Sequence, residues 1–140
     1  MKMFNILLVE DNQGDVLLTK EAFEESGNNC QLFVVNDGQE AINFLEQISP
    51  YTRVESPNLI LLDINLPKMN GHEVLKYVKS NSNLKHIPVI ILTTSSSEKD
   101  ISECYSNYAN CYITKPNDVA DFFKIIENVN SFWLKNATLT

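Results

Sequence analysis

Five short apolar runs punctuate the chain: Phe4 to Val9 (FNILLV), Gln31 to Val35 (QLFVV), Asn58 to Leu62 (NLILL), Pro88 to Leu92 (PVIIL) and Cys111 to Ile113 (CYI). Each is rich in branched or aromatic residues, and most lack a period-2 alternation. A strand covered on one face alternates; a strand covered on both does not, so these runs predict parallel strands buried between two layers. The segments between them carry a helical period. Ala41, Ile42, Leu45 and Ile48 share one stripe, as do Val74, Leu75 and Val78, and as do Val119, Phe122, Ile126, Val129 and Trp133.

Boundary residues support the same division. Gly27 suits the left-handed position that ends a first helix. Ser97-Glu98-Lys99-Asp100 reads as a capping box opening the fourth helix, and Asn117 or Asp118 would cap the last. Strand and helix therefore alternate five times, which predicts an α/β fold with right-handed crossovers and helices on both faces of a parallel sheet. Five strands fit the doubly wound order 2-1-3-4-5. The longest loop, Ser49 to Pro57, is bracketed by prolines and reads as a surface insertion.

Composition narrows the class. A chain of 140 residues suits one domain, with its core at about 3–130 and a tail at 131–140. Its net charge of −7 argues against nucleic acid and against an anionic membrane surface, both of which call for a basic face. Cys30, Cys104 and Cys111 lack the count and spacing of a disulfide framework. His72 and His86 have no cysteine or histidine at zinc-ligand spacing. The N-terminus lacks a signal peptide's cleavage region, and no 18-residue apolar stretch occurs, so a cytoplasmic location is expected.

In a doubly wound sheet, ligands collect beyond the carboxyl ends of the strands. There the first run ends in Glu10-Asp11, the third in Asp63, the fourth in Thr93-Thr94 and the fifth in Thr114-Lys115-Pro116. Three carboxylates drawn together repel, and without a cation among them one is driven towards protonation. Mg²⁺ resolves that repulsion, since it favours one or two carboxylates with waters and phosphate oxygens. Asp11 and Asp63 are the expected direct ligands, with the backbone carbonyl of Asn65 as a third oxygen and Glu10 acting directly or through water. Asp63 is also the expected nucleophile for an aspartyl-phosphate. Lys115 would pair with one phosphoryl oxygen and the Thr93 hydroxyl would donate to another.

LLVEDN, LILLDINLPKMNG, PVIILTT and CYITKP, in this order and spacing, resemble the CheY-like receiver domains of two-component response regulators, over about Met3 to Asn130. The resemblance implies a flavodoxin-like (βα)5 domain that accepts a phosphoryl group from the phosphohistidine of a sensor histidine kinase onto Asp63. It implies a phosphoacceptor signalling domain rather than a turnover enzyme, with Thr93 as the switch hydroxyl and Tyr112 as the switch aromatic. It makes Lys115 the phosphate-pairing lysine, with a cis peptide before Pro116. Asn65 and Ser95 would flank the path of the hydrolytic water and tune the phosphoryl lifetime.

The long loop and the Phe132-Trp133-Leu134 tail look like the stand-alone regulators of bacterial phytochrome kinases, which implies a homodimer. About eleven residues follow Val129, so output is expected through a surface met by a downstream protein. A haloacid-dehalogenase-type phosphatase also uses an aspartyl nucleophile with Mg²⁺, but it wants a second aspartate where Asn65 stands. A flavodoxin wants hydroxyls after the first strand, where EDNQGD offers acids, and no GxGxxG marks a dinucleotide site.

Overall fold

A computed structural model describes residues 3–27 and 30–139. Five strands, β1 (Phe4–Val9), β2 (Cys30–Val35), β3 (Leu59–Leu62), β4 (Val89–Thr93) and β5 (Cys111–Thr114), form one sheet of order β2-β1-β3-β4-β5. All neighbouring strands are parallel. Each strand is followed by a helix: α1 (Gln13–Glu25), α2 (Gly38–Leu45), α3 (Gly71–Ser80), α4 (Glu98–Ser106) and α5 (Val119–Val129).

The continuous apolar runs are explained by two cores, one on each face. Leu7 and Val9, Ile60 and Leu62, and Val89 and Ile91 point to the side covered by α2, α3 and α4. Their neighbours Ile6 and Leu8, Leu59 and Leu61, and Ile90 and Leu92 point to the side covered by α1 and α5. Ile6 to Val9, Leu59 to Leu62 and Val89 to Leu92 are thus buried on alternate faces, so hydrophobic burial acts along each run.

Side-chain caps begin the helices, because the first backbone N–H groups of a helix have no partner inside it. Asn12, Asp37, Asn70, Ser97 and Asp118 accept from Asp15, Glu40, Glu73, Asp100 and Asp121. Gly27 lies just past α1 at φ +69°. The capping box at Ser97 is half formed. Asp100 donates its N–H to Ser97, but its carboxylate turns to His72 and Ser95 instead of reaching back.

Two expected stripe positions fall outside the core. Ile48 lies beyond the end of α2 and is 51% exposed. Val119, at the first turn of α5, is 54% exposed. In both, the helical period runs past the turn where the packing stops. Past α5 the chain widens into a π-helical segment, Asn130–Asn136, whose end is marked by a bond from Ala137 N–H to the Phe132 carbonyl at 2.7 Å. Here Leu134 is buried in the α1/α5 core, Trp133 packs against that core, and Phe132 is 55% exposed. Within the tail, Thr140 lies outside the described residues.

The Ser49 to Pro57 insertion is held down by Tyr51, whose ring lies 5.2 Å from that of Phe44 and whose hydroxyl bonds Glu40. Ile91→Ala, in the middle of β4, is expected to cost about 2–5 kcal/mol in urea unfolding. Ile48→Ala should stay within about 0.5 kcal/mol of wild type.

Candidate functional site

The carboxyl ends of β1, β3, β4 and β5 deliver their terminal residues to one rim. β1 lies beside β3, so Glu10 and Asp11 leave one strand next to Asp63 leaving the other, and the Asp63 N–H donates to the Val9 carbonyl at 3.1 Å. Carboxylate oxygens of Glu10, Asp11 and Asp63 all lie within 4.8 Å of one another. Glu10 and Asp63 are buried, whereas Asp11 is exposed. An open acidic position beside two buried ones suits a hard divalent cation that keeps some of its waters.

Lys115 arrives from β5, two strands away from β3. Its backbone N–H donates to the Thr93 carbonyl at 2.7 Å, which ties it to the end of β4. Its side chain is only 5% exposed, and the ammonium meets Glu10, then Asp15 at 2.9 Å and Asp63 at 3.5 Å. Burial alone would lower the lysine; the hydrogen bonds to Glu10 and Asp15 outweigh it and raise it. Burial pushes Glu10 up to about 7, and the Asp63 charge pushes the same way, with Lys115 opposing both. The pocket thus holds more negative charge than its one ammonium balances, which is the electrostatic condition for taking up a cation.

Asp63 occupies a tight corner. The Asn65 N–H approaches its Oδ1 at 3.3 Å. The start of α3 presses on its backbone: a Cβ added at Gly71 would sit 2.2 Å from the Asp63 carbonyl oxygen and 2.6 Å from the Ile64 Cα. Only glycine allows that approach, which explains the glycine that opens α3.

Thr93 is fully buried at the end of β4, and its hydroxyl lies 3.5 Å from the Ser95 N–H. Tyr112, half-buried on β5, donates its hydroxyl to the Ser95 carbonyl at 2.8 Å. One expectation is corrected. Among the described residues the only cis peptide bond is Ser49–Pro50, so the bond before Pro116 is trans. Trans is the ordinary preference of an X–Pro bond. Lys115 is aimed instead by its bond to Thr93 and by the acids around it.

The chain matches the family described as "Response regulator receiver domain" over residues 6–127. The chain belongs to the response regulator receiver family. Among its relatives is response regulator Rcp1 of Synechocystis sp., 46% identical over 134 residues, covering 96% of this chain and 91% of the relative. The crystal structure of the phosphorylated cyanobacterial phytochrome response regulator RcpA is similar to this receiver at TM-score 0.95 and 44% identity, covering 99% of each chain. The Mn²⁺-bound form of Rcp1 is similar at TM-score 0.94 and 44% identity, covering 98% of this chain and 99% of that one. This receiver is therefore a two-component signalling domain, and its acidic cluster suits a divalent metal.

Two groups of residues at the rim escaped the sequence reading. Asp15 sits in the first turn of α1, where only the fold carries it to Lys115. His72 and Asp100 lie on different helices and meet across α3 and α4. Gly71→Ala is expected to destabilise the receiver by about 1–3 kcal/mol in urea unfolding, because backbone has to move to admit the methyl group.

Proposed function

We propose that Asp63 is the phosphoacceptor of this receiver and that Mg²⁺ is its metal, with the donor on a sensor histidine kinase, here one of phytochrome type. The observation that carries the reading is the packing of three carboxylates and one buried ammonium at a single sheet rim. A carboxylate oxygen of Asp63 forms a bond to phosphorus as the P–N bond of the phosphohistidine breaks, and the electron pair stays on the imidazole nitrogen. Phosphoryl transfer of this kind depends on positioning and on positive charge around the moving group.

Asp11 and Asp63, with the Asn65 carbonyl, would hold the metal, and Glu10 would bind it directly or through water. When bound, the metal neutralises charge on the phosphoryl oxygens. Lys115 turns from Glu10 and Asp15 towards one phosphoryl oxygen, and the Thr93 hydroxyl donates to another. No general base is required, because an ionised carboxylate is already the nucleophile. The domain catalyses only its own phosphorylation and slow dephosphorylation.

Thr93 and Tyr112 then repack, changing the surface of α4 and β5 that a downstream protein reads. Asn65 and Ser95 leave the water path open, so self-dephosphorylation, slow beside an enzyme's turnover, still ends the phosphoryl state before many hours pass. The described helices include none long and apolar enough to cross a membrane, and the domain is assigned to the cytoplasm with its kinase.

With acetyl phosphate and Mg²⁺, intact mass should show one phosphoryl adduct, absent in Asp63→Asn. An adduct on the mutant would refute Asp63 as acceptor, and a label surviving many hours would refute the open water path.

A homodimer is assigned to the face where Ile113 of edge strand β5, Ile125 and Val129 of α5, and Phe132 and Trp133 line one apolar groove. Phe132 and Trp133 stack edge to face with centroids 5.2 Å apart, and a second copy offers the matching surface. Light scattering should find dimeric wild type and monomeric Phe132→Asp, with unchanged phosphorylation. A monomeric wild type would remove the assignment.

A further inference from the structure

Three carboxylates meet the Lys115 ammonium, and they differ in what else they serve. Glu10 and Asp63 belong with Asp11 to the group that could hold a cation, whereas Asp15 lies outside that group. Asp15 approaches from α1, with its Oδ2 2.9 Å from Lys115 Nζ and its side chain 27% exposed. Its backbone is fixed on both sides. Its N–H donates to Asn12 Oδ1 at 3.0 Å, and its carbonyl accepts the hydroxyl of buried Thr19 at 2.7 Å. Asn12 in turn donates its own N–H to Glu10 Oε2 at 3.1 Å. Glu10, Asn12, Asp15 and Lys115 thus close a ring of contacts.

Glu10 and Asp63 have to divide their charge between Lys115 and a divalent cation. The lysine side chain is 5% exposed, so water can do little for its ammonium. Burial lowers the lysine, and its bonds to Glu10 and Asp15 more than reverse this, so it stays charged. A buried charge stripped of its partners is costly, and more so beside a second positive charge. Asp15 is the one anion on Lys115 that a metal at the acidic cluster leaves free to pair with it.

We propose that Asp15 is a positioning residue: it keeps Lys115 paired while Glu10 and Asp63 turn to Mg²⁺, and holds the ammonium beside Asp63 until a phosphoryl oxygen arrives. The inference rests on the Mg²⁺ reading above. Without Asp15, Lys115 has to keep Glu10 and Asp63 as its own partners, in competition with the metal. Asp15 therefore acts on metal binding through Lys115 and not through its own charge.

Asp15→Asn tests this, because the amide keeps the shape and the backbone bonds to Asn12 and Thr19 but loses the charge. The probe is Mg²⁺ alone, titrated into the ¹⁵N-labelled chain and followed by NMR. Asp15→Asn should bind Mg²⁺ about tenfold more weakly than wild type, the size of one charge-assisted hydrogen bond. Asp15→Glu, which restores a carboxylate, should recover most of that loss. A charge acting only through space would weaken binding with or without the lysine. In a Lys115→Met background, Asp15→Asn should instead change Mg²⁺ affinity by less than about twofold, as expected once the shared partner is gone. The Lys115 ammonium resonance gives a readout that needs no second substitution. It should shift further on Mg²⁺ loading in Asp15→Asn than in wild type.

If wild type binds Mg²⁺ and Asp15→Asn binds it as tightly, the inference is overturned and the metal reading stands. It is overturned as well if most of the loss persists in Lys115→Met, or if the Lys115 resonance responds alike in both proteins. If wild type binds no Mg²⁺, both readings fall.

Discussion

Lys115 carries an almost fully buried ammonium into a pocket of acids, and the organisation of the rim follows from that contact. A buried charge is tolerated only when paired and hydrogen-bonded. Here the partners come from the end of β1, the first turn of α1 and the end of β3, so one side chain reports on three elements at once. Glu10 and Asp63 are held close despite their repulsion, and the fold keeps them there because each ends a strand that is buried on both faces. The acidic excess is the feature that makes the site receptive to a cation.

The rest of the structure protects that arrangement or transmits it. The two-sided core gives the sheet a rigid edge, which is what a site needs if its groups are to stay within hydrogen-bond reach. Gly71 lets α3 begin against the Asp63 backbone, which links that carboxylate to the helix carrying His72. Beyond β4, Ser95 gathers Thr93, Tyr112 and Asp100 into one set of contacts. The opposite end of the molecule has a different character, with an apolar face on β5, α5 and the π-helical segment. The acidic rim and this apolar face are thereby separated across the same edge strand.

Much of this was legible in the residues. Runs such as NLILL and PVIIL have no polar face to offer, so they have to lie between two layers, and alternation with helical periods then fixes a parallel sheet. Because ligands gather at strand ends in such a sheet, Glu10, Asp11, Asp63, Thr93 and Lys115 could be placed at one rim from order alone. Helix starts at Ser97 and Asp118 followed the local chemistry of capping. Local chemistry was less informative where a neighbour decided the outcome. Ile48 and Val119 continue a helical period but meet no partner, and the Asp100 carboxylate is drawn away from the Ser97 cap by His72 and Ser95.

By itself the sequence determined the layers and placed Glu10, Asp11 and Asp63 at the rim, because hydrophobic period and strand ends are properties of consecutive residues. Tertiary structure alone decided that Asp15 shares Lys115, that His72 reaches Asp100 across two helices, and that Gly71 touches Asp63. These are contacts between residues on different elements. They depend on how helices settle against the sheet, which no local pattern encodes.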